Sequence, residues 1–495
     1  MSHPPPLTTA TSSNTQQQQQ QQPEIRSRQS VTSPVLAHHI VRGGAAYVRV
    51  GHGDDSDDDG ETGEENVVHG TQSGEAKGTV ASSAINITNT ILGSGMLAMP
   101  KALASTGLGF GSLLIALSGL ASAFGLTLLT LCASKIGRHS SFFHISKLTY
   151  PQAAIWFDLA IAVKCFGVSI SYLVIIGDLM PTIMHSIYPD SIPESLIFSK
   201  QLWITVSMVL LIPVAFAKQL NSLKYTSALA LCAVVYLVGI VFGYFMAGPL
   251  DSMPRRPEWN EVTWVKIDGS FFKTVPIFVF AFTCHQNIFA VHNELVDNSV
   301  SQVKKVIHLS ILTAFGVYQL IGIMGYLTFG NTVGGNVISM YPPGAIITGG
   351  QISLAFLFLL SYPLQCHPAR ASLEKVLTGG NSAIQMTEFR FTAITTGLLV
   401  SSYLIAISVD DLSTVLSLVG ATGSTAICYI LPGLLYYKLR MVTDPADMAK
   451  KWDFMKLSAV GLAGFGVFVM VLSVGTQVAH IFGSEGKAGG GLGGH

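Results

Sequence analysis

The residues best suited to chemistry lie in one apolar stretch near position 90. The range from Ser83 to Gly95 holds two Asn, two Thr and two Ser and ends in the tripeptide Gly93-Ser94-Gly95. A helix facing lipid would not carry so many polar side chains, because each is costly to bury without a partner. Glycine eases departure from helical geometry, so we predict that the helix unwinds here. The amide groups freed at the new helix start would bind an anion such as a carboxylate. A close helix-packing face built on small residues is the alternative.

A second polar interruption falls in the aromatic stretch 278–289, where His285-Gln286-Asn287 follows Cys284. Polar side chains at membrane depth are expected to face a cavity. Carbonyl groups freed at this second break, around residues Cys284 to Gln286, would suit an ammonium group. A carboxylate site and an ammonium site together indicate an α-amino acid as the ligand.

Composition indicates that membrane helices position these residues. Of the 495 residues, 49% are hydrophobic and only 11% charged, and the mean hydropathy is +0.48. Soluble domains carry about 25% charged residues, so a soluble enzyme, a nucleic-acid binder and a disordered scaffold are excluded. Each span needs about 20 apolar residues. Eleven stretches fit: 80–104, 107–134, 152–180, 201–217, 224–247, 271–291, 306–328, 346–367, 390–409, 412–437 and 457–481.

The predicted fold class is an all-α, multi-pass membrane protein with three regions. Residues 1–79 form a Gln-rich, acidic tail with a net charge of −5, which we expect to be disordered. Residues 80–481 form the transmembrane domain, and residues 482–495 form a short Gly-rich tail. The two interrupted segments are the first and the sixth. This spacing predicts a five-plus-five inverted repeat with its site at the bilayer midplane.

Loop charges predict the orientation. The loops after the even-numbered segments carry 15 Lys and Arg, whereas the opposite side carries seven. The positive-inside rule therefore places the even loops and the N-terminal tail in the cytosol. The short C-terminal tail is then luminal.

Cysteine usage and motif searches give no sign of a metal centre or a catalytic site. The chain has no CxxC pair, no HExxH or GxSxG motif and no paired-carboxylate pattern typical of a catalytic site. We therefore predict no enzyme activity, no metal site built on thiolates and no cofactor. The cysteines are expected to be small buried hydrophobic residues: Cys132, Cys165, Cys232, Cys284, Cys366 and Cys428.

Five motifs follow one another along residues 80–481: Ile91–Leu97, Lys164–Asp178, Phe280–Asn287, Ser361–Gln365 and Val419–Thr425. Together they resemble the amino acid/auxin permease family. The chain is most similar to its fungal vacuolar amino acid transporters and to its animal sodium-coupled neutral amino acid transporters. The resemblance implies a LeuT-like fold with eleven helices. The chain differs from many relatives at Ala290, where they have Pro. It also lacks the paired cysteines that the animal members have in the luminal loop.

The resemblance implies a substrate site between the first and sixth segments. Amides of the first break would hold the carboxylate, carbonyls of the second would hold the ammonium, and neighbouring side chains would line the pocket. The residues predicted to contact the substrate are Thr88, Asn89, Gly93, Ser94, Gly95, Cys284, His285 and Gln286.

The sequence leaves two coupling ions as alternatives, sodium and protons. In relatives, a sodium site uses an Asn of the first helix and a hydroxyl of the eighth, which here match Asn86 or Asn89 and Ser361. Protons would need a titratable group instead. A His is the usual proton carrier near neutral pH, so His285 is one candidate, with hydrogen-bonded helix packing as its alternative.

Lys164 and Asp178 are the other candidates for proton coupling. Lys164 lies well inside the third segment and could replace a sodium ion with its own ammonium. A snorkelling lysine is the alternative. Its spacing from Asp158 and Asp178 along a helix rules out both as neighbours, so its partner must come from another helix.

We expect a secondary amino acid transporter that works by alternating access and is driven by protons, with sodium as the alternative ion. Its membrane would be vacuolar or lysosomal, with the plasma membrane as the alternative. Its partners are an amino acid and the lipid bilayer, not nucleic acid, and cytosolic regulators could act on the tail. An amino acid sensor that signals without transport is the second hypothesis.

Overall fold

The computed structural model describes residues 78–189, 195–217, 223–248, 253–381, 384, 386–443 and 453–488. Almost all of the predicted tail 1–79 lies outside these residues. In the described chain the secondary structure is helical, apart from one isolated parallel bridge between Gly78 and Leu295. The prediction of an all-α membrane protein is confirmed.

The first half of the chain begins with a broken helix. The Thr79 hydroxyl caps the first turn by accepting a hydrogen bond from the Ser82 amide, and the Ser82 hydroxyl in turn accepts one from the Thr79 amide. The helices are α1 (Val80–Ile91), α2 (Gly95–Thr106), α3 (Leu108–Ile136), α4 (Phe142–Thr149), α5 (Ala154–Ile187), α6 (Lys200–Ala215) and α7 (Leu223–Ala247).

The second half begins with another broken helix. A short 3₁₀ turn, His285–Asn287, joins its two parts. The helices are α8 (Phe271–Ala281), α9 (Ile288–Glu294), α10 (Val300–Phe329), α11 (Ala345–Leu377), α12 (Glu388–Ser408), α13 (Leu412–Val419), α14 (Leu431–Thr443) and α15 (Phe454–Ala488). The end of α15 lies within the segment 482–495 that the sequence predicts as a tail.

Nine helical stretches of the described chain are long and apolar enough to cross a membrane. The α8–α9 pair and the α13–α14 region each count as one of them. Helix α6 is apolar but shorter, and α1 and α2 are each 12 residues long. The positions of the helices match the predicted segments closely, while the exact number of spans, eleven, stays a prediction.

Helices α5 and α11 form the most extensive helix pair and carry much of the central packing. Between α13 and α14 the backbone is wound as π-helix at Gly420–Ser424 and Ala426–Ile430. The glycines in this stretch allow close approach. A Cβ on Gly423 would lie only 2.7 Å from the Lys164 amide nitrogen of α5, so the π-helical stretch and α5 touch backbone to backbone.

Candidate functional site

The first predicted break is present between α1 and α2. Leu92 has φ −75° and ψ 66°, which is the geometry of an inverse γ-turn. The Gly93 amide closes this turn by donating to the Ile91 carbonyl at 2.8 Å. Glycine and serine at positions 93 and 94 let the chain leave the helix here, as the sequence predicts.

The break leaves backbone donors at the start of α2. In the described chain, the amides of Ser94 and Gly95 donate to no turn or loop carbonyl. They lie at the N-terminal, positive end of the helix dipole, where an anion is favoured. The Gly93 amide is already used in the γ-turn, so Gly93 contributes an accessible stretch of backbone rather than a free donor.

Helix α5 supplies two side chains that flank this break. The Ser171 hydroxyl donates to the Ser94 hydroxyl at 3.0 Å. A Cβ built on Gly93 would meet only the Tyr172 hydroxyl, at 3.6 Å. The sequence motif contains Ser171 and Tyr172, but nothing in it assigns them a role. Their positions become apparent only when α5 packs against the break.

The second predicted break is present between α8 and α9. Helix α8 ends at Ala281, and Cys284 has φ −133° and ψ 9°, outside helical geometry. The Phe282 carbonyl accepts a hydrogen bond from the Ser122 hydroxyl of α3 at 2.9 Å. The Cys284 carbonyl accepts from the Asn287 amide at 3.0 Å. In the predicted ammonium site, Cys284 to Gln286, the Cys284 carbonyl is therefore already hydrogen-bonded within the 3₁₀ turn.

His285 and Gln286 have side-chain atoms that lack partners. His285 is fully buried, and neither of its ring nitrogens makes a hydrogen bond in the described structure. Its Nε2 lies against α3, where a Cβ on Gly125 would be 2.8 Å away. The Gln286 Oε1 atom is also buried and unpaired among the described residues. The His285 ring is thus buried against α3, close to the second break.

The two breaks lie side by side. A Cβ on Gly95 would stand 3.1 Å from the Ala281 Cα atom, so the start of α2 and the end of α8 touch. On the other side, the Asn287 side-chain amide donates to the Thr90 hydroxyl at 2.8 Å. Amide donors and carbonyl acceptors are thus brought to one place, which is the arrangement the sequence predicts for an amino acid.

Tyr318 of α10 connects the two breaks directly, and sequence reasoning misses it. Its hydroxyl lies 2.6 Å from the Ile91 carbonyl oxygen and 2.8 Å from the Ala281 carbonyl oxygen. These are the last residues of α1 and α8. A single tyrosine in a long apolar helix gives no signal that separates it from an ordinary core aromatic residue.

Lys164 is 3% exposed and lies in the first half of α5, about three turns from its start. Its Nζ atom reaches Gln365 Oε1 of α11 at 3.5 Å. It forms no ion pair with a described Asp or Glu. The prediction that its partner comes from another helix is confirmed, and the buried location does not fit a lysine that snorkels to the membrane surface.

Asp178 lies away from the breaks, near the C-terminal end of α5. Its carboxylate pairs with Lys200 Nζ at 2.7 Å, and the same ammonium donates to the Asp410 carbonyl at 3.1 Å. The sequence cannot show this pairing, because Lys200 starts a different helix. Asp178 therefore already has a structural partner that joins α5, α6 and the α12–α13 connection.

The remaining predicted residues lie on α1 and α11. Thr88 is buried, Asn89 and Ser361 are half-buried, and Asn86 is exposed. No hydrogen bond links Asn86 with Ser361 in the described chain. Both oxygens stay available to a cation, but the structure does not bring them together through a direct contact.

One face of α1 leads to the first break. Ser82 and Asn86 are exposed, and Asn89 and Gly93 are half-buried; the spacing places all four on one side of a helix. On the other side of the break, the first turns of α2 are fully buried and offer no such accessible face. Because the loop charges predict a cytosolic start for α1, we expect access from the cytosol. The fully buried α2 residues are Met96, Leu97, Ala98 and Met99.

Comparison with known proteins agrees with this architecture. Residues 76–478 match the family described as "Transmembrane amino acid transporter protein". The chain is 40% identical over 406 residues to Vacuolar amino acid transporter 5 of Schizosaccharomyces pombe, covering 81% of this chain and 94% of the relative.

Two further relatives are similar over comparable lengths. Vacuolar amino acid transporter 5 of Saccharomyces cerevisiae is 34% identical over 454 residues, covering 81% of this chain and 98% of the relative. Amino acid transporter AVT6A of Arabidopsis thaliana is 28% identical over 432 residues, covering 82% and 89%. The chain belongs to the transmembrane amino acid transporter family and is a transporter rather than an enzyme.

Proposed function

We propose that this protein carries amino acids across the vacuolar membrane by alternating access. The observation that carries the proposal is the meeting of two broken helices deep in the membrane domain, with free amides on one and helix-end carbonyls on both. The names of the relatives from two yeasts, both vacuolar amino acid transporters, support the membrane and the substrate class.

The substrate carboxylate binds to the amides of Ser94 and Gly95, at the positive end of α2. Two such charge-assisted hydrogen bonds are worth about 1.5–3 kcal/mol each. The half-exposed backbone of Gly93 provides the surface over which the carboxylate approaches.

The substrate ammonium binds to carbonyls at the negative ends of α1 and α8, where cations are favoured. Thr88 and Asn89 line the pocket from α1, and Cys284, His285 and Gln286 line it from the second break. Their contribution is orientation of the substrate, since the unpaired Gln286 Oε1 atom can accept a hydrogen bond and the unpaired His285 ring nitrogens can donate or accept one.

Protons drive transport, with Lys164 and His285 as the groups that carry them. Both are buried near the second break, and neither has a carboxylate partner among the described residues. The alternative is sodium coupling through Asn86 and Ser361. The arrangement of the helices as a LeuT-like, five-plus-five repeat is part of this proposal.

Alternating access moves α1 and α9 relative to the rest of the domain. The accessible polar face of α1 and the closed packing of α2 support a conformation that is open toward the cytosol. Closing this face and opening the α2 side would deliver the substrate to the lumen, or accept it from there.

Uptake into liposomes tests the proposal. The purified full-length protein is reconstituted, and a panel of the 20 radiolabelled amino acids is offered under an imposed proton gradient, an imposed sodium gradient, or none. We expect at least one amino acid to accumulate only with the proton gradient. Accumulation with sodium alone favours the other ion. Binding without any accumulation contradicts transport and supports the sensor hypothesis.

A further inference from the structure

The hydroxyl of Tyr318 lies where two helix ends meet. Tyr318 is fully buried in α10, and its ring packs edge-on against Phe282, with centroids 5.1 Å apart and an interplanar angle of 86°. Its hydroxyl lies 2.6 Å and 2.8 Å from the carbonyl oxygens of Ile91 and Ala281. These two oxygens are therefore at most 5.4 Å apart.

The charge at this point is poorly neutralised. A helix C-terminus behaves as roughly half a negative charge, and here the C-termini of α1 and α8 face the same group. The hydroxyl is neutral and carries one proton for two acceptors. The Ile91 carbonyl also accepts from the Gly93 amide at 2.8 Å. In the described structure the Ala281 carbonyl has only the hydroxyl as a donor from outside its helix.

We propose that Tyr318 is a positioning residue that stands in for the substrate ammonium in the empty carrier. Its hydroxyl keeps the Ile91 and Ala281 carbonyls close together in the empty protein. When the substrate ammonium binds, it replaces the hydroxyl as the hydrogen-bond donor to these carbonyls. This inference rests on the proposed function, because it assumes that an α-amino acid binds between the breaks.

The chemistry of the two donors supports the exchange. An ammonium group offers three N–H donors and a full positive charge, and its bonds to oxygen are about 2.7–2.9 Å long. The distances from the Tyr318 hydroxyl to the two carbonyl oxygens, 2.6 Å and 2.8 Å, are close to this length. The empty carrier thus preserves the spacing of the ammonium site, and the Ala281 carbonyl keeps a donor in the apolar interior.

Tyr318→Phe tests the proposal, because it keeps the ring and its contact with Phe282 but removes the donor. The Ala281 carbonyl then lacks its donor in the empty protein, and the substrate ammonium restores one. We expect a lower thermal midpoint without substrate and a larger rise on adding substrate. We also expect about tenfold tighter binding, which equals about 1.4 kcal/mol. Slower substrate release should lower the maximal uptake rate.

The probes are the 20 amino acids, each compared with the acid that lacks the α-amino group. Binding of the acid without an ammonium should not tighten in Tyr318→Phe. The control is Ser122→Ala, which removes the hydroxyl that donates to the neighbouring Phe282 carbonyl. This carbonyl is bonded toward α3, so the control should lower the midpoint without tightening binding.

Unchanged or weaker amino acid binding by Tyr318→Phe overturns the inference while leaving the proposed function intact. No binding by the wild type overturns both. If Tyr318→Phe does not yield folded protein, Phe282→Leu serves instead. It removes the ring that orients Tyr318 and should tighten amino acid binding by a smaller factor; weaker or unchanged binding by that variant contradicts the inference.

Discussion

Gly93→Ala should block substrate binding while leaving the protein folded. The added methyl group would meet only the Tyr172 hydroxyl, at 3.6 Å, which is an ordinary van der Waals distance. No neighbouring atom has to move, and the backbone at position 93 does not require a positive φ. The thermal midpoint of the empty protein should therefore change little.

The expected loss of binding follows from the space that the methyl group takes. In the proposed site the substrate carboxylate approaches the Gly93 backbone and accepts hydrogen bonds from the Ser94 and Gly95 amides. The methyl group would keep the carboxylate farther away and lengthen both hydrogen bonds. Weakening two charge-assisted hydrogen bonds costs about 3 kcal/mol in total, which is about a hundredfold in affinity. The assay is uptake into liposomes over a range of substrate concentrations, with binding measured in parallel by substrate-induced thermal stabilisation.

Gly95→Ala provides the contrast, because its Cβ would stand 3.1 Å from Ala281 Cα and 3.3 Å from Ala281 Cβ. Overpacking of this kind typically costs about 1–3 kcal/mol, so Gly95→Ala should lower the thermal midpoint. The still larger Gly93→Val should abolish transport while leaving the protein folded. Wild-type KM in folded Gly93→Ala would refute the placement of the carboxylate at the first break.

Three further predictions concern protons and stability. His285→Ala should shift the pH dependence of uptake, and an unchanged profile removes His285 from the proton path. Lys164→Met and Lys164→Arg should both abolish stimulation by a proton gradient, because methionine binds no proton and arginine does not release one; full stimulation in either variant argues against Lys164 as the coupling group. Asp453 caps α15, because its carboxylate accepts from the Lys456 amide at 2.7 Å. This bond, aided by Arg440, holds the pKa of Asp453 below its usual 3.8. Because the folded-state pKa is depressed, the carboxylate stabilises the fold above pH 3.8 and loses this effect as the pH falls through the lower value. Asp453→Ala should therefore cost about 1 kcal/mol at pH 7 and less at pH 3, measured by thermal unfolding; an equal cost at both values contradicts the capping role.

The two breaks could be predicted because their signal is local. A run of Asn, Thr and Ser followed by Gly93-Ser94-Gly95 cannot form a stable lipid-facing helix, and His285-Gln286-Asn287 has the same effect in the sixth segment. Helix positions follow from the length of apolar stretches, because the bilayer fixes how many residues a span needs. These parts of the prediction depend only on neighbouring residues.

The side chains that complete the site could not be predicted, because they reach it from other helices. Ser171 and Tyr318 are polar groups in long apolar helices, and either could face a neighbouring helix without a role at the site. Asp178 shows the converse. An acidic residue in an apolar segment indicates function, but its pairing with Lys200 depends on how α5 and α6 pack, which no local pattern encodes.

A cryo-EM structure of the full-length protein with a transported amino acid bound tests the central claim most directly. We expect ligand density between residues 92–95 and 281–286, with the carboxylate on the amides of Ser94 and Gly95 and the ammonium facing the carbonyls of Ile91 and Ala281. Continuous helices through Ser94 and His285, or ligand density bound elsewhere in the domain, would contradict the account.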